Sequence, residues 1–381
     1  MMVARGANVH VFCGSPLRQG AAIENGYTVH RITCVNGNDF KEKLVPFFAA
    51  QHQQLSFDLA ESPEINSNAL LIKKMFPNLP LAVRLHAPGH LVESTKKQYY
   101  PFSAKMRFVL GGIRRGKLEL GYWRRYDFTN DPDYQFCMMA DTISAPSQAM
   151  KHWIVKQWKI EEKNIFVIPN PFTPPKALLQ LPIPIKKNRQ EVVFFGRLNV
   201  LKGLVNATLA MKKILKEFPA VHFKVIGDDG PGPVNGTDMR TWMQEQLKGV
   251  QSQVSFYAGF DYDKLPAAIA DATIALLPSL FESFSYTCAE AMAAGKAVIG
   301  SKDTGMDFIK HNRTGLLVNA HEPGAIYEAI KMLLQDDNKR FMLASNARED
   351  IQQMFTGDKL GDEFVKFYNE AIAKYTGRTF S

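Results

Sequence analysis

Short apolar runs alternate with longer amphipathic stretches through the second half of the chain. Val192–Gly196 reads as a strand, followed by the loop Arg197–Gly203 and an amphipathic helix to about Phe218. Val221–Gly227, Val254–Ala258, Thr273–Pro278, Ala297–Gly300 and Thr314–Val318 read as further strands. Helices are expected around Asp238–Lys248 and Leu265–Asp271, with another ending near Gly295. Such alternation predicts a parallel, doubly wound α/β sheet. Right-handed crossovers then gather the loops that follow the strands along one edge.

The first half repeats this rhythm less regularly. Asn8–Cys13, Thr28–Val35, Ser56–Glu61, Leu81–His86 and Thr142–Ala145 read as strands, while Pro88–Tyr134, with Gly111-Gly112 and many aromatics, supports no assignment. Prolines at 169, 171, 174, 175, 182 and 184 predict an extended, semi-rigid linker. The expected plan is therefore a domain over 1–168, a linker over 169–190, a second domain over 191–356 and a last segment, 357–381, whose helix runs from about Lys359 to Tyr375.

Composition narrows the classes. With 381 residues, 46% hydrophobic and 22% charged, the chain can bury two cores without disulfides or metals. No apolar run approaches the ~20 residues of a membrane span, and no leader pattern opens the chain, so a cytoplasmic protein is expected. Cys13, Cys34, Cys137 and Cys288 form no CxxC pair and are expected as buried, reduced thiols. The net charge of +9 suits phosphorylated substrates, an anionic membrane surface or nucleic acid. Nucleic acid is set aside, because no recognition signature for it is present. Basic residues concentrate at Lys105–Lys117, Trp123–Arg125 and Lys186–Arg189. Those in the first half mingle with Tyr99, Tyr100, Phe102, Phe108, Tyr122 and Trp123, which suits peripheral contact with the inner face of a membrane. A solvated basic face over ordinary core aromatics explains that segment equally well.

Ligands of an open parallel sheet bind beyond the carboxyl ends of its strands. That edge of the second half carries Gly196, Arg197 and Lys202 after its first strand and Gly227-Asp228 after its second. Glu282, Ser283, Phe284 and Ser285 follow the fourth and open a helix, and Asp303-Thr304-Gly305 follow the fifth. A guanidinium fork, a mobile ammonium and unpaired amides of Ser283 to Ser285 at a helix start would together receive a diphosphate. Each element alone has a plainer reading: a surface ion pair, a turn, an N-cap. Glu282 and Glu290 stand eight positions apart, roughly 12 Å along a helix. Glu290 lies among alanines that let a ligand approach, and vicinal ribose hydroxyls would satisfy its carboxylate. Glu282 would stand near the sugar.

These segments, with ESFSYTCAEAMAAGKAVIGS and TGLLV, resemble the donor domain of family-four retaining glycosyltransferases over roughly residues 190–320. Val83-Arg84-Leu85-His86 and Val167-Ile168-Pro169-Asn170-Pro171 extend the likeness forward. The resemblance implies a GT-B fold, two Rossmann-like domains facing each other across a cleft, with the last helix crossing back to the first domain. Arg197 and Lys202 would hold the donor diphosphate, Glu290 the ribose and Glu282 the transferred sugar. The segment Ala258–Phe260, with Gly259 and Phe260, would bracket the base, and Asp228, with Gly196 and Ser283 to Ser285, would help to hold the donor. His86 would face the anomeric centre, although a histidine satisfied within its own loop is a serious competitor. The family's first strand and glycine-rich loop are not recognisable here, since Met1–Val9 looks like the end of a helix running into the second strand.

The implied reaction moves a sugar from a nucleoside diphosphate sugar to a glycan or lipid-linked acceptor hydroxyl, with retention and without a divalent metal or other cofactor. Surface polysaccharide or glycoconjugate synthesis is the expected setting. A non-catalytic sugar-nucleotide-binding subunit of a glycan-assembly complex is the alternative from another class, and a sugar-nucleotide 2-epimerase a lesser one.

Overall fold

A computed structural model describes residues 1–99, 102–118, 126–185, 190–234, 236–355 and 357–376. The basic runs 123–125 and 186–189, with Tyr100 and Tyr122, lie outside these. The chain divides into two units: Met1–Gly89, Asp127–Pro171 and Thr356–Ser381 form one, His90–Tyr126 and Phe172–Phe355 the other.

In unit 1, β1 (His10–Ser15) pairs in parallel with β3 (Tyr27–Thr33), and β2 (Gly20–Glu24) returns antiparallel on the other side of β3. The β2–β3 hairpin was not expected. Asn25 and Gly26 both take positive φ there, as a tight two-residue turn between twisted strands requires. A second sheet holds β4 (Ala60–Pro63), β5 (Leu81–Arg84), β6 (Thr142–Ala145) and β7 (Ile165–Val167) in chain order, all parallel. The residues expected to close a helix before β1 form a single 3-10 turn, Val3–Arg5, ended by Gly6. The last helix, Gly357–Thr376, belongs to this unit: Leu360, Phe364 and Phe367 share a buried cluster with Ala82 and Ile168. Its far end is held by Tyr375, whose hydroxyl donates to Asp141, while Lys73 bonds both.

Unit 2 is built on one six-stranded parallel sheet. Its strands are β8 (Glu191–Phe195), β9 (His222–Ile226), β10 (Val254–Tyr257), β11 (Ile274–Leu277), β12 (Ala297–Ser301) and β13 (Leu316–Val318), in the order β10-β9-β8-β11-β12-β13. β11 and β12 are buried along their whole length, as expected of central strands covered on both faces. The order runs outward from β8 to β10, then reverses and continues from β11. Adjacent loops therefore leave in opposite directions between β8 and β11, which opens a crevice beyond their carboxyl ends.

Two expectations need correction. The proline-rich run, expected as an extended, semi-rigid linker, is packed onto unit 2 at its described residues. It contains the helical turn Lys176–Leu179, buries Phe172 and Leu178 in the core of unit 2, and is bonded by Arg348 Nη2 at the Leu181 carbonyl, 2.7 Å away. Its apolar residues gain more by burial than an extended tether would leave them. The unassigned stretch 88–134 forms helices Gly89–Tyr99 and Phe102–Arg114 and, from His90 to Tyr126, goes with unit 2. Of the four thiols, Cys137 and Cys288 are buried, whereas Cys13 and Cys34 are only partly so. No helix among the described residues is long and apolar enough to cross a membrane.

Candidate functional site

Beyond β8 the chain turns at Gly196, presents Arg197 and enters a 3-10 turn, Val200–Lys202, capped by Asn199. Gly203 follows at φ +70°, and a Cβ there would stand 1.8 Å from the Pro278 carbonyl oxygen. Leu280 N also donates to Leu201 O at 2.7 Å, so the loops after β8 and β11 lie directly against each other. The loop after β9 joins them. Leu198 N donates to Asp228 O at 2.8 Å, and a Cβ on Gly227 would lie 1.9 Å from Gly196 O. Backbone contacts at this density hold three loops as one rim over the crevice.

The side chains on that rim are unequally committed. Lys202 Nζ meets Glu282 Oε2 at 2.5 Å, and Ser279 Oγ donates to the same oxygen at 3.2 Å. Arg197 is exposed and has no side-chain hydrogen bond or ion pair among the described residues. An incoming anion thus meets one unclaimed guanidinium and one ammonium that Glu282 must share. Gly196 sits beside the first turn of the helix Tyr286–Ala293, since a Cβ there would lie 3.8 Å from Thr287 Cγ2. The backbone that carries Arg197 is therefore close to a helix start.

That helix start differs from expectation. Ser285 is the N-cap, its Oγ accepting from Cys288 N, and its own amide donates to Gly305 O at 3.2 Å. Gly305 N in turn donates to Glu282 O at 2.7 Å, which fastens the loop after β12 to the rim. The Ser285 amide is thus consumed by the fold, and the Phe284 ring packs among Tyr286, Phe308 and Phe355. The amides of Ser283 and Phe284 have no hydrogen-bond partner among the described residues.

Glu290 lies further along the same helix, only 8% exposed. Burial raises its carboxyl to about 7, partly opposed by a hydrogen bond with Tyr262. The Tyr262 phenol is in turn pushed up to about 12 by burial and by Glu290. Asp228 Oδ1 accepts from Gly259 N at 3.1 Å, and Arg240 Nη2 donates to the carbonyls of Gly227 and Tyr257, each at 3.2 Å. These bonds tie together the loops after β9 and β10, from which Phe260 projects into solvent. Tyr262 and Arg240 were not singled out from sequence.

Comparisons with known proteins bear on what such a rim serves. Residues 179–350 match the model of the glycosyl transferases group 1, and residues 1–174 match that of glycosyltransferase family 4. The chain belongs to the family-four, group 1 glycosyltransferases. It is 28% identical over 253 residues to an uncharacterised glycosyltransferase of Methanocaldococcus jannaschii, a match covering 63% of this chain and 61% of that protein. It is 32% identical over 196 residues to the D-inositol 3-phosphate glycosyltransferase of Corynebacterium glutamicum, covering 51% of this chain and 46% of that one. These matches therefore span about half to three-fifths of the relatives' lengths. Among solved structures, sucrose-phosphate synthase from Thermosynechococcus elongatus aligns with a TM-score of 0.72 at 21% identity, over 98% of this chain and 91% of that one. Anabaena HepE in complex with UDP-glucose aligns at 0.62 and 19%, over 89% and 85%. The fold is that of the GT-B glycosyltransferases.

Of the residues expected to serve the glycosyltransferase, His86 belongs to unit 1. It follows β5, and its Nδ1 lies 3.0 Å from the Leu85 carbonyl. Glu64, unremarked in the sequence, shapes this loop: its fully buried carboxylate accepts from His86 N at 2.8 Å and Ala87 N at 2.7 Å. Burial raises the Glu64 carboxyl to about 7, although these amides pull the other way. Glu64→Ala would strand two amides in the interior, so urea denaturation is expected to show a loss of about 2–5 kcal/mol.

Proposed function

We propose that unit 2 binds a nucleoside diphosphate sugar at this rim and that the chain transfers the sugar to an acceptor hydroxyl with retained anomeric configuration. One observation carries the reading: Arg197, without a side-chain partner among the described residues, follows Gly196 beside a helix start at the point where the strand order reverses, with Lys202 further along its own loop paired to Glu282 on the adjoining one. In the reaction the bond from the anomeric carbon to the diphosphate oxygen breaks, the acceptor oxygen bonds that carbon from the same face, and the acceptor proton passes to the departing diphosphate. Charge develops on the leaving oxygens, so preorganised donors there lower the barrier. Arg197, Lys202 and the amides of Ser283 and Phe284 supply them. Glu282, released from Lys202 by the diphosphate, is free to accept from hydroxyls of the sugar.

Glu290 is assigned to the ribose, with Asp228, Gly259 and Phe260 around the base. Its two hydroxyl partners donate, and so favour the ionised carboxyl. A group half-protonated near pH 7 then gives up its proton on binding. Calorimetry of UDP in buffers of different ionisation enthalpy is expected to show proton release at pH 6.5, with affinity rising as pH increases through about 7. The sign for folding is opposite. A carboxyl raised from 4.5 to about 7 in the folded chain contributes stability below 4.5 that is lost as pH rises through 7.

Charge neutralisation is assigned to protein groups, so EDTA is expected to leave turnover unchanged. UDP-glucose, the ligand of the Anabaena neighbour, is the donor to try first. Surface polysaccharide or glycoconjugate synthesis, with peripheral membrane contact, is the setting we assign. The stereochemistry is tested by proton NMR of the first product formed: an α-linked donor yields an α-linked product, and inversion would overturn the retaining assignment.

A further inference from the structure

Between Glu93, which pairs with Lys96 at 2.9 Å, and Glu119 the chain carries Lys97, Lys105, Arg107, Arg114, Arg115 and Lys117 and no acidic residue. The segment is anchored to unit 2 at Tyr99, expected from sequence among the membrane-facing aromatics. Its hydroxyl accepts from Asn206 Nδ2 at 3.1 Å and its ring stacks on His321. Beyond Tyr99, the helix Phe102–Arg114 turns Val109 and Gly112 inward. Phe102, Met106, Leu110 and Ile113 are left 71%, 37%, 53% and 53% exposed. At 3.6 residues per turn these four fall within an arc of about 80°, a single stripe along the helix. Arg107 and Arg114 line one edge of that stripe. Scattered exposed apolar residues need no explanation, but a continuous stripe on a helix marks a contact surface.

Charge decides what covers it. A second copy would set two wholly basic segments face to face, and a nucleic acid would leave the stripe in water. A surface that offers negative charge above an apolar layer satisfies both features. We propose that the helix Phe102–Arg114 docks this chain on a membrane bearing anionic lipid, with the stripe at the acyl boundary and the adjoining cations among the headgroups. Near such a surface each basic residue strengthens binding about fivefold, and the attraction weakens with salt. The helix lies along the membrane. At 13 residues, roughly 20 Å, it is too short to cross one. This surface is independent of the donor assignment and is tested separately from it.

The test is flotation of the full chain with vesicles of phosphatidylcholine alone and of equal phosphatidylcholine and phosphatidylglycerol, in about 0.1 M salt. Binding to the anionic vesicles is expected, with at least tenfold less to the neutral ones. Leu110→Ser with Ile113→Ser, and separately Arg107→Glu with Arg114→Glu, are each expected to reduce anionic binding at least tenfold. Both should keep the wild-type melting temperature and the wild-type stabilisation by UDP. If the serine pair unfolds, the charge pair carries the test. Equal binding to both vesicle types, no binding by the wild type, or folded variants that bind like it would overturn the proposal. So would light scattering that shows a dimer which the serine pair splits into monomers.

Discussion

Arg197→Ala is expected to lower kcat by about 10²–10³-fold, the loss typical when one preorganised donor to a developing oxyanion is removed. That corresponds to about 3–4 kcal/mol of transition-state stabilisation. The effect is large because no other side chain among the described residues claims this guanidinium. Arg197→Lys is expected to restore only part of it, since a point charge cannot reproduce a planar fork. Lys202→Ala acts differently, because it also leaves Glu282 without its 2.5 Å partner. Steady-state kinetics with the active donor decide the matter, and an Arg197→Ala enzyme within a few-fold of wild type would remove Arg197 from the chemistry.

The second large effect is structural. Gly203→Val is expected to destabilise unit 2 by more than about 3 kcal/mol and to abolish UDP binding. Backbone at φ +70° disfavours any side chain, and a Cβ 1.8 Å from the Pro278 oxygen forces the loops after β8 and β11 apart. Gly249 provides the control. It also has positive φ, +91°, yet a Cβ there meets nothing within 4 Å, so Gly249→Val should cost only the conformational strain, about 1–2 kcal/mol. Urea denaturation of the two variants, read beside UDP titration, separates strain from collision.

Strands of unit 2 were legible because each is an apolar run bounded by turn residues. Thr273–Pro278, for example, contains β11 within a residue at either end. In unit 1 the signals were weaker but partly present. Asn25-Gly26 between Ile23 and Tyr27 is itself a hairpin signature, whereas β7 is only three residues long. The helix Phe102–Arg114 was hidden for two physical reasons. Gly111 and Gly112 oppose helix formation, and the basic residues and aromatics interleaved with Phe102, Met106, Leu110 and Ile113 masked the helical spacing of those four. At the rim, the grouping of Arg197, Lys202 and Glu282 followed from strand order. That Lys202 would be claimed by Glu282, and the Ser285 amide by Gly305, depends on side-chain and loop packing that spacing does not encode. Glu64 and Tyr262 were invisible for the same reason: each owes its role to a partner distant in sequence, His86 or Glu290.

The central claim is that the rim beyond β8 and β11 receives a nucleoside diphosphate. Calorimetric titration of UDP into the wild type and into Arg197→Ala tests it most directly. Saturable binding by the wild type, weakened at least tenfold in the variant while its melting temperature is unchanged, is the predicted result. Equal affinity in the two proteins, or no binding of UDP or any other nucleoside diphosphate by the wild type, would contradict it.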